Sequence, residues 1–553
     1  MLPQSIGAPA SGTDGIGTQA VSTASIPAGW AATHTLGFVL SKATDLGALS
    51  SSTPVTVRLG LALRNTNALK SAVASMAYVS DGTFMADYAP TSAQVSAVRT
   101  YLASRGFTNI VAEPNNLLVS ATGTAAQVQS AFDTSLHRYT QAGQRYYANV
   151  TPAYVPAPLG GVVLAVLGLN NFQAFNAKPK ITPCTGGITT VCQRWYDPKT
   201  FRMVYDTRWT TGIYTTVAVM AEGNVAPAIA DLRVNESKFG VPHATVYVKQ
   251  VGLASPDTSG DLEWTLDMTS STGIAWCVKA LYVYDTTSLT DSDIALEYNH
   301  WVTDNAARLG NSSFGECEAF PYVDGSMLVD DEIMLEGASH GQTMFASSGD
   351  TGAFCSVGTP NGVPAGAPFV SYPAASPYIV AVGGTDLFST AAGAYEGESG
   401  WESGGGGVSQ FEYSPYWEAQ AQPVGSNGGN FRGVPDVAMD ASLETGALLW
   451  SGGTEYEVGG TSLSSPLAMG SYAIMQSNHA NALGFAAPRF YRIYALHPTA
   501  SSTSVGPPPT QEIGGFHDIL TGCNPAYCAL PRYDYVTGLG SFDIYPVVLN
   551  IGK

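Results

Sequence analysis

Apolar and polar residues first fall into a regular pattern near residue 55. Val55, Val57, Leu59, Leu61 and Leu63 recur at period two, which predicts a half-buried strand. Residues 68–77 read as a helix. Val95, Val98 and Leu102 share one face of a second helix over residues 91–105, with Gly106 as its stop. Residues 109–112 and 117–121 predict strands, 125–132 a short helix, and 136–139 a last strand. The order βαββαβ is the split plan of ferredoxin-like domains, and it predicts an α+β domain over residues 51–175. Residues 1–50 are rich in Gly, Ala, Ser and Thr, weakly patterned, and read as an N-terminal extension.

Residues 176–195, with Lys178, Pro179, Lys180 and a loop holding Cys184 and Cys192, read as a linker. The texture then changes. Residues 216–220 predict a buried strand ending at Glu222-Gly223, and apolar strand-like runs alternate with helices to about residue 480. That alternation predicts an α/β domain over 196–553, a parallel sheet covered on both faces. The run Gly404 to Gly407 and residues 501–509 read as loops, and no internal repeat is visible.

Composition narrows the function classes. A length of 553 residues admits one large and one small domain, and 45% hydrophobic residues exclude a mostly disordered chain. Charged residues are only 12%, against about 25% in ordinary soluble proteins. With 24 Lys and Arg against 43 Asp and Glu, the net charge is −19, and cations are too sparse for a phosphate-binding surface; nucleic acid is not expected as a partner. Once acid neutralises the carboxylates, so few cations also limit self-repulsion. That suits an acidic environment, although compositional drift gives the same figure.

The longest apolar run, residues 159–169, falls well short of the ~20 residues of a membrane-spanning helix. The N-terminus lacks the apolar segment of a secretion signal. Cys184/Cys192 and Cys523/Cys528 are close pairs without a second Cys/His pair at zinc spacing. They read as oxidised local loops, which points to an extracellular protein. Cys277, in an apolar run, reads as buried and inert.

Three segments hold candidate chemistry. In Asp261-Leu-Glu-Trp-Thr-Leu-Asp267, Glu263 and Asp267 are i and i+4, so a helix puts both carboxyls on one face. Such a pair can share a proton and serve as a general base held by a second acid; the same spacing also suits a solvated helix face. In Val458-Gly-Gly-Thr-Ser-Leu-Ser-Ser-Pro466, a strand meets a glycine turn and a helix begins near Ser462. A serine there can act as a nucleophile or as an ordinary N-cap. In Ala346-Ser-Ser-Gly-Asp-Thr-Gly352, Asp350 follows an apolar run and also suits a plain turn.

With these residues in this order, the chain resembles the sedolisin family, the serine-carboxyl peptidases with a subtilisin-like fold. The family's ExxxD, SGDxG and GTSxxxP match Glu263/Asp267, Ser348-Gly-Asp-Thr-Gly352 and Gly460-Thr-Ser-x-x-x-Pro466. Tyr372-Pro-Ala-Ala-Ser-Pro-Tyr378, Val382-Gly-Gly-Thr385, Gly404-Gly-Gly-Gly-Val408 and Val434-Pro-Asp-Val437 match as well. The resemblance implies a self-processing zymogen: the βαββαβ unit becomes an activation prodomain that inhibits its own enzyme, and the maturation site falls in 176–195. It implies Ser462 as nucleophile, Glu263 as general base and then acid, Asp267 orienting Glu263, and a protonated Asp350 at the oxyanion. A carboxylate accepts a serine proton in acid, where histidine is already charged, and a protonated Asp donates to an oxyanion only while neutral.

The resemblance further implies a calcium (Ca2+) site near the C-terminus, with the Asp518 and Asp534 side chains and the backbone oxygens of Ile519, Leu530 and Arg532 as ligands. The family has glycines where Leu530 and Arg532 stand. Phe314 replaces a common Trp, and the register around Glu222 is shifted, so Glu222 stays outside the catalytic set. The implied protein is a secreted, acid-active, monomeric endopeptidase acting on proteins and peptides. Two rivals remain at this stage, a neutral subtilisin-type protease using His340 and a catalytically silent binding protein on the same fold.

Overall fold

The computed structural model describes residues 26–40, 42–141, 143–173, 179–183, 196–354, 368–390, 392–421, 430–503 and 508–553. Its N-terminal unit is built on an antiparallel sheet of Thr108–Ala112, Leu118–Thr124, Pro54–Leu61 and Val163–Leu167, in that order. Helices Ser92–Ser104 and Ala125–Phe132 turn Val95, Val98 and Leu102, and Val128, Ala131 and Phe132, onto the core. Each begins with a reciprocal capping box, Thr91 with Gln94 and Thr124 with Gln127, which satisfies otherwise orphan N–H groups. The plan is ferredoxin-like.

The fourth strand, however, is Val163–Leu167 and not residues 136–139. Leu136–Gln141 instead joins Thr44–Ala48 and Gln144–Asn149 in a separate antiparallel sheet. The reason lies in patterning: Leu136–Gln141 is polar at most positions and buries only two residues, whereas the all-aliphatic Val163–Leu167 is buried nearly throughout. Two further elements depart from expectation. Strands Trp30–Ala32 and Thr44–Ala48 lie in the stretch read as an unpatterned extension, and Asp81–Asp87 forms an extra helix capped by Ser80.

The larger unit carries a sheet in the order Val246–Gln250, Val278–Thr286, Gly212–Glu222, Leu309–Ser312, Thr343–Ser347 and Ile379–Ser389, all parallel. Val437–Asp440 extends it in parallel, and Tyr395–Gly400 pairs with Ile379–Ser389 antiparallel. Val217 to Ala221 are buried without interruption, as a strand covered on both faces must be. Helix Thr461–Asn478 packs on Asp261–Ala275 and along the central strands, while Asp291–Asp304 and Ser326–Ser339 pack together elsewhere on the sheet. This is the subtilisin-like α/β architecture.

The N-terminal unit sits on those last two helices. A Cβ on Gly60 would come within 2.3 Å of the Val329 side chain, so strand and helix are in direct contact. Arg58 pairs with Asp293 at 2.9 Å, Asn115 donates to Glu336 and Asn299 at 2.6 Å each, and the Leu63 N–H donates to Glu332 at 2.8 Å. Between the units, Lys180–Pro183 pairs antiparallel with Thr454–Gly459, the strand that leads into Ser462.

Cys523 and Cys528 are bridged, and Cys317 is also disulfide-bonded. Cys184 and Cys192 lie outside the described residues. Cys277 is free but half-buried, not enclosed, because it follows the end of helix Asp261–Ala275 at the start of the next strand. Among the described residues no helix is long and apolar enough to cross a membrane.

Candidate active site

Two helices that are distant in sequence meet at this site. Along Asp261–Ala275 every residue from Glu263 onward is buried, and Glu263 and Asp267 are both 0% exposed. The solvated-face alternative is therefore excluded for this pair. Helix Thr461–Asn478 is equally buried and presents Ser462 in its first turn, where free N–H groups and the helix dipole favour negative charge. Pro466 sits inside that helix and has no N–H for the carbonyl of Ser462, four residues earlier. That carbonyl lies 3.3 Å from the Ser313 hydroxyl instead.

Ser313 connects the parts. Its hydroxyl donates to Asp267 Oδ1 at 2.5 Å and accepts from Asn311 Nδ2 at 2.9 Å, while its carbonyl lies 3.4 Å from Ser462 Oγ. Asn311 is itself held by Ser465, whose hydroxyl donates to its Oδ1 at 2.6 Å. Asn311 and Ser313, which brace Asp267, lie outside the set of residues that the sequence singles out. Their one signal in the sequence is the segment Asn311-Ser-Ser-Phe-Gly315 around Phe314, which does not say which residues it touches.

Glu263 is the unspent group. Neither of its carboxyl oxygens has a hydrogen-bond partner among the described residues, nor does Asp267 Oδ2. Burial pushes the Glu263 pKa well above the usual carboxylate range; the charge of Asp267 adds to this, while the nearby Ser462 hydroxyl opposes it without closing a full hydrogen bond. Burial likewise raises Asp267, against the hydrogen bonds from Ser313 and Asn311. Two carboxyls this close titrate as one coupled unit.

Asp350 lies beside the turn into the serine helix. Its Oδ1 accepts from the Thr461 N–H at 2.8 Å and the Thr461 hydroxyl at 2.9 Å. Burial raises its pKa, and the Thr461 bonds and the Lys180 ammonium pull it down. Gly460 has φ +103°, and a Cβ there would meet Asp350 Oδ2 at 2.5 Å, so only glycine permits this approach. Gly405 serves the same neighbourhood, since a Cβ on it would fall 1.9 Å from the Ser348 carbonyl oxygen.

One other acid and a histidine make no bond to this set. Glu222, which accepts from Trp264 Nε1 through its backbone carbonyl, is pushed up to about 7 by burial and by Asp257 and Asp285. His340 faces away toward the N-terminal unit: Nδ1 is 2.8 Å from the Val79 carbonyl and Nε2 is 3.5 Å from Glu336.

Near the C-terminus, Asp518 and Asp534 are buried and held by neutral donors. Asp518 Oδ2 accepts from Gln511 at 2.5 Å and the Arg532 N–H at 2.7 Å; Asp534 accepts from the N–H groups of Leu530, Val536 and Thr537. Burial pushes Asp518 up to about 6 and Asp534 up to about 7. Arg532, at φ +72°, stands in the left-handed conformation that glycine adopts freely, and its guanidinium turns to the carbonyls of Tyr494, His497 and Pro498. Ile519 ends the strand Phe516–Ile519, and Leu530 is half exposed. Among the described residues no three or more His, Cys, Asp or Glu side chains gather as a metal site. Two buried carboxylates held by neutral donors are still the hard oxygen ligands that a calcium ion takes.

Comparison with known proteins agrees with this architecture. A family model described as the pro-kumamolisin activation domain matches residues 41–172, and one of the subtilase family matches residues 240–501. The chain is 37% identical over 487 residues to sedolisin from Pseudomonas sp. (strain 101), covering 83% of this chain and 79% of that protein. It is 33% identical over 563 residues to xanthomonalisin from Xanthomonas sp. (strain T-22), covering 90% of this chain and 65% of that protein. Among solved structures, Pseudomonas sedolisin, a serine-carboxyl proteinase complexed with two molecules of pseudo-iodotyrostatin, superposes with a TM-score of 0.58 at 32% identity, over 65% of this chain and 98% of that one.

Proposed function

The chain belongs to the sedolisin family, serine-carboxyl peptidases made with an activation domain, and on that premise we propose that it is a secreted, acid-active endopeptidase whose nucleophile is Ser462. The observation that carries this reading is the Glu263 carboxyl: buried, without a hydrogen-bond partner among the described residues, and beside a serine in the first turn of a buried helix, while His340 is bonded elsewhere. Ser462 Oγ attacks the peptide carbonyl and its proton passes to Glu263. The carbonyl oxygen becomes an oxyanion and takes a hydrogen bond from protonated Asp350, whose Oδ1 is already engaged with Thr461. Glu263 then returns the proton to the departing amine, and water releases the acyl group by the reverse sequence. Asp267, fixed by Ser313, shares the proton load of Glu263.

This scheme sets the pH dependence. Asp350 must be protonated and the Glu263/Asp267 pair must not be fully so, which gives a bell-shaped profile with its maximum in acid. An optimum at pH 7–8 would overturn the carboxyl mechanism. Asp350→Asn separates two roles: an amide donates at any pH, so if Asp350 is only a donor the variant keeps part of its turnover and loses part of the alkaline falloff. Complete loss of one such donor costs about 10²–10³ in turnover.

The N-terminal unit is read as an inhibitory prodomain, with the strand Lys180–Pro183 lying along the edge that leads to Ser462 in support. Its removal by the enzyme itself, with a maturation site in 176–195, belongs to the same proposal. The bridged Cys523–Cys528 and Cys317 favour an oxidising, extracellular setting. Asp518 and Asp534, with carbonyls of Ile519, Leu530 and Arg532, would hold calcium, which offsets two buried charges and ties the C-terminal loop. A cation bound only by the native state stabilises it by mass action, about 2.7 kcal/mol at a hundredfold excess over Kd. Chelation should therefore lower the melting temperature of the matured protein by several degrees. An unchanged value, with no metal by elemental analysis, removes the site.

A further inference from the structure

We propose that Trp401 and the edge of strand Thr454–Gly459 form a subsite for the leaving-group side of the substrate, and that this subsite favours lysine. The inference rests on the peptidase reading above and names a specificity determinant for it.

The register supplies the direction. Lys180 pairs with Gly459, Ile181 with Val458, Thr182 with Glu457 and Pro183 with Tyr456. The strand Thr454–Gly459 runs on through Gly460 and Thr461 to Ser462, so the ladder is nearest Ser462 at Lys180 and recedes from it toward Pro183. A peptide in this register offers Ser462 a bond upstream of Lys180. Lys180 and the residues after it therefore occupy the side that departs as the amine. The other edge of Thr454–Gly459 is already paired with Ala447–Ser451. Once the linker is gone, one edge of the strand is open, and an extended peptide can complete the ladder through its backbone, leaving selectivity to side-chain contacts.

Trp401 makes such a contact. The Lys180 ammonium lies 4.4 Å from the centre of its ring. Trp401 is 8% exposed, and its place is fixed: its backbone N–H donates to the Gly384 carbonyl at 3.0 Å, and a Cβ on Gly384 would come 2.9 Å from the ring. A fixed, largely buried aromatic face attracts a cation and takes up the aliphatic stem as well. The same ammonium acts on the Asp350 carboxyl, after burial and the Thr461 bonds, so this position is within electrostatic reach of the oxyanion site.

The test uses the full-length protein after acid maturation and internally quenched peptides that differ only at the first three leaving-side positions, each carrying lysine, norleucine or glutamate. At one position lysine should exceed norleucine by about fivefold in kcat/KM, the factor a cation over a ring supplies. That ratio should fall toward one in Trp401→Leu and stay intermediate in Trp401→Phe. Equal rates for lysine and norleucine at all three positions overturn the subsite, as does a lysine preference that survives Trp401→Leu. If Trp401→Leu fails to fold, Trp401→Phe carries the comparison: an undiminished lysine preference in it overturns the subsite. A parent that cuts none of the peptides overturns the peptidase reading and the subsite with it, whereas one that cuts all of them alike overturns the subsite alone.

Discussion

Ser462→Ala should lower kcat for peptide hydrolysis by about 10⁶-fold and leave the chain at full length after acidification. The magnitude is that of removing the nucleophile of a serine peptidase whose parts act as one unit. Here the unit is compact: Ser462 lies on one buried helix, Glu263 and Asp267 on another, and Ser313 is bonded to Asp267 with its carbonyl close to the Ser462 hydroxyl. Because the groups act together, Glu263→Gln should be nearly as damaging, and the double variant Ser462→Ala/Glu263→Gln should be no worse than Ser462→Ala alone. Turnover of a quenched peptide in acid measures the first effect, and intact mass after acid incubation the second. Equal maturation of isolated Ser462→Ala would eliminate self-processing, and near-parent turnover would eliminate Ser462 as nucleophile.

Thermal stability should be greatest in acid and decline steadily toward pH 8. Buried acids are the cause. Burial pushes Glu318 and Glu332 up to about 8, and Glu222, Asp285 and Asp543 up to about 7. Asp291, Glu316, Asp324 and Asp330 are raised well above their ordinary values by burial first; neighbouring carboxyl charges add to this, while the hydrogen bond with Asp291 opposes it at Glu316. An acid whose folded pKa exceeds its unfolded value holds its proton more tightly when folded. Its stabilisation is complete below the unfolded pKa of about 4 and is lost as pH rises through the folded value.

His340 and His517, both raised by carboxylate partners against the opposing effect of burial, contribute with the same sign. At about 1.4 kcal/mol per pKa unit, a few of the fully buried acids suffice to shift stability by several kcal/mol. The melting temperature should then drop by at least about 10 °C between pH 4 and pH 8. A flat or rising profile would mean that these carboxyls ionise inside the fold without cost. On the acid-active reading proposed above, the sparse charge of the chain has a physical meaning: carboxyls that would be expensive to bury at neutrality can be buried in acid.

Much of this was legible from local chemistry. Period-two and helical spacing located the strand at Val55 and the helix at Val95, because burial of one face is a local pattern. The family motifs brought Glu263, Asp267, Asp350 and Ser462 into view before any contact was known. Spacing alone puts residues 136–139 in the wrong sheet, because sequence order cannot say which sheet a strand joins; the partners of Leu136–Gln141, Thr44–Ala48 and Gln144–Asn149, lie on both sides of it in the chain. Residues 26–50 looked featureless for the same reason, since Trp30–Ala32 becomes a strand only by pairing with Tyr154–Pro156.

The sequence by itself determined the residue types, their spacing on each element and the family to which they point. Tertiary structure decided that the Glu263/Asp267 face is enclosed and not solvated, that Asn311 and Ser313 hold it, that His340 turns toward the N-terminal unit, and that Lys180 reaches Trp401. The division follows from range. Periodicity and capping act within a few residues, whereas desolvation and ladder register arise only when segments more than a hundred residues apart, such as Ser313 and Ser462, are brought into contact by a shared core.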